Sequence, residues 1–593
     1  MGHDAREYRR EKWHKVLPMR IPASILVLLL AAGVSAQTTR AFDVVVYGGT
    51  AAGLTAAVAA AREGAQVALV EPGSHIGGMA ASGLGWTDFG KKEVIGGLSK
   101  EFFERVGKKY NTDIIWTFEP HAAESVFNDM ARDAKIQIFL RKRLVEKTGA
   151  KKEGLKIVSI TAEGGDTFTG KVFLDATYEG DLLAQAGVSY TFGREGTQKY
   201  GESLAGVRPL TTKHQFLPNT SAMGSNGQPL PEIQTDPRGE IGAEDKKIQA
   251  YNFRLCMTDQ AANRVPFTQP AGYNPARYAL LSRHVNALMA ARGADMGPGK
   301  NLMKLDIVHA PSRKTDTNNE GGFSTDYIGG SWDYPDASYA RRAEIWKAHE
   351  EYQKGFFFFL SNDASIPQAF RDKMLQWGLA KNEFASNGNW PYQLYVRESR
   401  RMVGEYVMIQ KDIQTERTKQ DGIGMGSYNS DSHHVHRYVA AGGFVENEGD
   451  MQVAVEPYEI PYRILIPRRD QVSNLLVPVC FSASHVTYST LRMEPQYMIL
   501  GQAAGVAAKM AINAGKAVQD IDVQALRARL KVLKAELGAT PVGSSVPRLM
   551  PPGPGRSRKI FLGLLPFPAG QSAFSFEGKQ ALGKAYGQVL VSP

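Results

Sequence analysis

Residues 42–71 constrain the fold more than any other stretch. Phe42 to Tyr47 is, but for Asp43, a continuous apolar run, as expected of a parallel strand buried on both faces. Gly48-Gly49-Thr50-Ala51-Ala52-Gly53 follows, then the Ala-rich segment Leu54 to Arg62, then a second apolar run, Gln66 to Val70, closed by Glu71. Strand, glycine turn, helix and strand make one βαβ unit. Gly48 permits the tight turn and Gly53 lets the helix lie close to the strand, while Thr50 stands where the second glycine of G-x-G-x-x-G belongs. The helix N-terminus offers free N–H groups and a positive dipole end to a pyrophosphate. Glu71, 18 residues beyond Gly53, is placed to accept ribose hydroxyls and disfavours a 2′-phosphate.

Ser74-His75-Ile76-Gly77-Gly78-Met79 then supplies a Gly-Gly loop that lets the backbone pass close to a ribityl and pyrophosphate. An NAD enzyme does not require it, and no second G-x-G-x-x-G occurs in a βαβ context. The loop favours FAD over NAD, and the lack of a second fingerprint speaks against a separate NAD(P)H domain. A third segment runs from Asn474 to Ala508 and holds Cys480 to His485, Arg492-Met493-Glu494-Pro495 and Gly501-Gln502-Ala503-Ala504-Gly505. Pro495 is a favoured helix-start residue, and a helix beginning there can stabilise negative charge on a reduced flavin.

Composition narrows the remaining choices. The chain has 593 residues, 43% hydrophobic and 22% charged, enough for two or three domains. Of the formal +10, residues 1–36 carry +3 and residues 541–593 carry +5, so the body between them carries +2. That excludes the basic stripe of a nucleic-acid binder. Two cysteines, Cys256 and Cys480, cannot supply a four-thiolate iron–sulfur cluster and are read as buried thiols.

The basic leader, the apolar run Ala23 to Val34 and the small residues Val34-Ser35-Ala36 read as a signal peptide cleaved after Ala36, hence export to the periplasm or medium. The run is too short to span a bilayer comfortably, so no stable membrane span is expected after cleavage.

The expected fold class is α/β. A Rossmann-type FAD-binding domain, with a parallel sheet and helices on both faces, carries an inserted α+β substrate or cap domain. The expected divisions are 1–36 signal peptide, 37–200 first part of the FAD domain, 201–390 cap, 391–540 second, flavin-contacting part, and 541–593 a basic Pro/Gly-rich tail without stable structure. A helix is expected over 119–134, a strand over 136–140, a hairpin over 154–175, a helix over 337–354, strands at 460–466 and 475–480, and a helix over 495–514.

These motifs, with Glu119-Pro120-His121, Leu174 to Asp181, Tyr395 to Met402 and Asp431 to His434, resemble the FAD-dependent oxidoreductase family. That family is allied to the fumarate-reductase and glutathione-reductase type flavoproteins, and its exported bacterial members are often loosely labelled "xanthan lyase". The likeness covers residues 40–540. It implies an enzyme that moves a hydride between flavin N5 and a C–H of a small-molecule or carbohydrate substrate, with an unassigned electron acceptor. The alternatives are reduction of an activated alkene and a non-catalytic flavin protein that binds glycans or relays electrons.

Cofactor contacts are expected from Gly48, Gly49, Thr50, Ala51, Ala52, Gly53, Glu71, Gly77, Gly78, Met79, Asp175, Ala176, Glu494 and Gln502. His485 is the first choice for acid–base work, with Arg492 and Arg397 to hold an anion. His433, His434 and His436 could line the site, but no acid or Cys pattern completes a metal centre around them. The stretch Asn318 to Phe323 with Asp326, Trp332, Asp333 and Tyr334 mixes amide, acid and aromatic groups suited to sugars.

Overall fold

The computed structural model describes residues 38–293 and 295–538. The signal peptide and the basic tail expected from the sequence lie outside the described residues. A five-stranded parallel sheet runs in the order Leu475–Leu476, Val172–Asp175, Val44–Tyr47, Val67–Val70, Gln137–Phe139. Every residue of Val44–Tyr47, Val67–Val70 and Val172–Asp175 is buried, which is why these strands read as unbroken apolar runs.

The helix Ala51–Arg62 returns from the first strand and packs along the helix Glu494–Ala514. The contact is backbone against backbone. A Cβ on Gly501 would sit 2.2 Å from the Ala52 carbonyl oxygen, and one on Gly505 2.2 Å from that of Ala56. Thr55 Oγ1 also donates to the Met498 carbonyl at 2.9 Å. Pairing of 52 with 501 and 56 with 505 means the two helices run parallel. Their N-termini therefore face the same way, and the second begins six residues, about 9 Å, further forward.

The α/β core carries a second, antiparallel sheet in the order Arg264–Val265, Gly378–Ala380, Met257–Thr258, Lys314–Asn319, Met303–His309. Beside it lies the helix Tyr339–Asn362, capped by Ser338, whose hydroxyl accepts from Arg341 N–H. The described residues fall within one compact unit.

Several elements differ from expectation. The stretch 154–175 is divided between two sheets. Lys156–Thr161 and Thr167–Thr169 form the expected hairpin, Ala150–Glu153 adds a second one turning at Gly154, where φ is +59°, and Val172–Asp175 enters the parallel sheet. The strand expected over 460–466 is Tyr458–Pro461 followed by a 3-10 turn, Tyr462–Leu465, because Pro461 has no N–H with which to continue a ladder. Only Leu475 and Leu476 of 475–480 pair in the sheet. The helix expected over 337–354 continues to Asn362.

Candidate active site

The glycine loop is tied down from three sides. Gly48 has φ +103°, and a Cβ there would lie 2.7 Å from the Ala176 carbonyl carbon. A Cβ on Gly53 would lie 1.8 Å from the Gly48 carbonyl oxygen, so the helix can begin where it does only with glycine at this position. Thr50, in the place of the second glycine, caps the helix. Its Oγ1 accepts from Gly53 N–H at 3.2 Å and donates to the Ala176 carbonyl at 2.7 Å. Gly77 N–H donates to the Gly49 carbonyl at 2.7 Å, which lays the Gly-Gly loop on the first glycine turn.

Glu71 accepts from Gly49 N–H and Gly73 N–H, each at 2.5 Å. Burial nonetheless raises its pKa to about 7, against the opposing effect of those two amides. A cavity of about 470 Å³ opens at this end of the sheet, lined by Gly48, Thr50, Glu71, Gly73, Tyr178 and Tyr339 among others.

Tyr178 connects the cavity to the second helix. Its hydroxyl accepts from Met79 N–H at 2.9 Å and donates to Glu494 Oε1 at 2.7 Å. Gly78 passes so close that a Cβ there would lie 2.3 Å from the same hydroxyl. Glu494 is buried, its Oε2 has no protein partner, and burial raises its pKa to about 8. Both amide atoms of Gln496, also buried, are without partners.

A buried polyelectrolyte cluster adjoins this point through Arg492. Arg254 pairs with Asp316 at 2.6 Å, Arg397 with Asp326 at 3.1 Å, and Arg492 lies 3.6 Å from Asp431. All three guanidinium carbons stand near the Tyr395 ring, at 5.9, 4.7 and 5.9 Å from its centre. Arg492 also donates to the Tyr395 hydroxyl at 3.0 Å. Asp88 is a fourth acid here, its pKa raised to about 6 by burial.

His433 Nδ1 lies 2.6 Å from Asp326 Oδ2, and Nε2 has no hydrogen-bond partner among the described residues. Burial and then Arg397 push the His433 pKa well below its ordinary value, so the ring is neutral. Asp326 must then accept from Nδ1–H, which leaves the Nε2 lone pair free. The Asp326–Arg397 contact is an ion pair without hydrogen-bond alignment, since Asp326 Oδ1 and Arg397 Nε are both left without bonds.

The other candidates are dispersed. His485 is not among the residues that line the cavity. It begins the helix His485–Leu491, where its backbone N–H donates to Glu195 at 2.9 Å, its Nε2 is buried without a partner, and burial lowers its pKa to about 3. Asp175 accepts from Thr177 and Leu183, so it braces the loop after its strand. Gln502 Oε1 accepts from Leu98 N–H at 2.7 Å, against the helix Gly97–Lys109.

His434 bonds the Glu448 and Lys213 carbonyls, while His436 lies beside Trp332, so neither shares a ligand point with His433. The acids and histidine that do converge are Glu119, His121 and Glu383. The Lys314 ammonium sits between those two carboxylates, at 2.8 and 2.5 Å. Sequence reasoning missed Asp88, Arg254, Asp316 and Tyr395 as site residues.

The sequence model of the FAD dependent oxidoreductase family matches residues 43–530. No curated protein matches the chain significantly. Among solved structures, OxyS anhydrotetracycline hydroxylase from Streptomyces rimosus aligns at 13% identity over 26% of this chain and 36% of that one, with a TM-score of 0.20. Thioredoxin reductase from T. acidophilum aligns at 21% identity over 23% and 35%, with a TM-score of 0.17. L-proline dehydrogenase from P. horikoshii aligns at 15% over 32% and 63%, with a TM-score of 0.22. The chain thus spans less than two thirds of each of these proteins.

FAD fits the residues present. Gly48, Gly53 and Gly78 pack so tightly against Ala176, the Gly48 carbonyl and Tyr178 that no Cβ fits, which holds the glycine turn and the Gly-Gly loop in the shape that bares Gly48 and Thr50 to the cavity. Glu71 is an acceptor for ribose hydroxyls at the end of its strand. The unpartnered buried atoms of Glu494 and Gln496 are acceptors and donors awaiting a polar ligand.

Proposed function

The chain belongs to the FAD dependent oxidoreductase family and is an FAD-binding oxidoreductase, and we propose that it moves a hydride between the flavin and a carbinol C–H of a small or sugar-like substrate. FAD, when bound, supplies the two-electron redox chemistry. The chain supplies the rest. Gly48 to Gly53 and Glu71 bind the dinucleotide, the cluster around Tyr395 orients the substrate, and His433 exchanges a hydroxyl proton at Nε2 while Asp326 holds its tautomer.

The observation that carries this reading is that each cluster arginine already has its own aspartate: Arg254 with Asp316, Arg397 with Asp326, Arg492 with Asp431. With Asp88 added, three cations face four acids, so no uncompensated positive charge remains for a dicarboxylate. A neutral polyol, by contrast, finds the unpartnered Oδ1 atoms of Asp326 and Asp431 to accept its hydroxyls. The same pairing weighs against a fumarate-like substrate.

Anaerobic bleaching of the visible flavin band tests this, with aldoses and polyols as one panel and succinate as the contrast. Aldoses or polyols should bleach the band and succinate should not; bleaching by succinate alone would refute the reading. The leader in the sequence supports export of the mature protein, and N-terminal sequencing of the secreted form, expected to start at Gln37, tests it.

A further inference from the structure

The 470 Å³ cavity has two walls from different parts of the fold. One is the nucleotide side, with Gly48, Thr50, Glu71 and Gly73. The other is the helix Tyr339–Asn362, which presents Tyr339, Ala343, Trp346 and Glu350 to the same space. Positions 339, 343, 346 and 350 follow the three-and-four spacing of one helix face, so a whole stripe of this helix is directed into the cleft. Small Ala343 stands between the two aromatic residues on the same face.

The Tyr339 hydroxyl is buried and has no hydrogen-bond partner, which is costly unless a ligand meets it. Its ring is covered on one side by the Arg143 guanidinium, 4.5 Å from the centroid, which fixes it as a rigid edge. Tyr339 N–H donates to Glu146 at 2.7 Å, anchoring the start of the helix to the loop after Gln137–Phe139. A flat heteroaromatic base with ring nitrogens, joined to a ribose diol and a diphosphate, matches the chemistry that lines this cleft: the aromatic faces and phenol of Tyr339 and Trp346, then Glu71, then the glycine loop.

We propose that the cap helix Tyr339–Asn362 forms the far wall of the adenosine pocket, so that the ADP half of the cofactor is held between the parallel sheet and the cap and ties the two together. This rests on the FAD reading above and adds which residues receive the adenine, Tyr339 and Trp346, neither of which belongs to the nucleotide-binding motifs. The cofactor then braces the cap as well as serving the reaction, and nucleotide release requires the start of this helix to move.

Hydrogen exchange on the full chain, stripped of flavin and supplied with ADP, FMN or FAD, tests the proposal. ADP and FAD should slow exchange of the amides of 339–350, and FMN, which lacks the adenylate, should not. Tyr339→Phe keeps the ring and removes only the hydroxyl; it should raise the Kd for ADP about 5- to 10-fold, the loss expected for one buried hydrogen bond, and leave FMN binding unchanged. Protection confined to residues 48–53, or wild-type ADP affinity in Tyr339→Phe, would overturn the clamp while leaving the flavoprotein assignment intact. Failure of the chain to bind FAD at all would instead strike at that assignment.

Discussion

His433 Nδ1 lies 2.6 Å from Asp326 Oδ2, in a cluster where every other charged group is already paired or crowded by like charge. The arrangement orients an imidazole and leaves its second nitrogen to work. His433→Gln should retain FAD yet lower the substrate-driven rate of flavin reduction by about 10²- to 10⁴-fold, the usual worth of general acid–base catalysis. Asp326→Asn should act in the same direction by releasing the tautomer. Because the His433 pKa is depressed, the neutral base persists below its ordinary titration range, so the wild-type oxidation rate should not fall between pH 8 and 6. Stopped-flow reduction across that range checks both statements, and a His433→Gln enzyme at the wild-type rate would remove this residue from the mechanism.

Gly53→Val should leave apoprotein. Its Cβ alone would lie 1.8 Å from the Gly48 carbonyl oxygen, and the only relief is to push the helix Ala51–Arg62 off the strand, against a partner helix it touches backbone to backbone. The flavin-to-protein ratio of the purified variant measures this; full loading would mean the glycine turn does not hold the cofactor.

The parallel strands were legible because burial on both faces writes itself as unbroken Val, Leu and Phe, and the glycine turn because its backbone geometry excludes side chains. The cluster around Tyr395 was legible only in part: Arg397, Arg492, Asp326 and His433 stood out, whereas Arg254, Asp316 and Asp88 did not. The strand Lys314–Asn319 reads Lys-Thr-Asp-Thr-Asn-Asn, with no apolar residue, yet all six are buried. Its partners, Glu119 and Glu383 for Lys314, Arg254 for Asp316 and Asn252 for Asn318, lie 62 to 195 residues away in the chain. Periodicity sees burial only where it coincides with hydrophobicity. Polar burial satisfied by distant charges leaves a fainter mark, here the crowding of Asn, Asp and aromatic residues between Asn318 and Tyr334. His485 shows the converse: its position at the start of a helix was readable, but its enclosure by Glu195 and Arg401 was not.

His485→Gln should therefore leave the per-flavin rate within about twofold while lowering stability, as expected when a fully packed side chain is replaced by a more flexible polar one. Rates measured beside a thermal melt separate the two effects. A rate loss of a hundredfold with an unchanged melt would return His485 to the reacting centre.

Burial raises the folded pKa of Glu494 to about 8. In the unfolded chain this carboxyl titrates near its ordinary value, so the folded state holds a proton that the unfolded state has lost throughout the window from about 4.5 to 8. Stability of the flavin-free protein should thus decline as pH rises through that window, and the full penalty applies above it. Glu494→Gln mimics the protonated form and cannot ionise. It should match wild type at pH 4.5 and exceed it at pH 9 by about 2–5 kcal/mol, the upper end being the full shift converted to free energy. Glu71, raised to about 7 by its own burial, titrates in both proteins and cancels in the difference. Urea unfolding at the two pH values decides the matter. A variant no more stable than wild type at pH 9 would mean that Glu494 ionises freely inside the fold, and the unpartnered Oε2 could then no longer be read as a buried hydroxyl donor reserved for the cofactor.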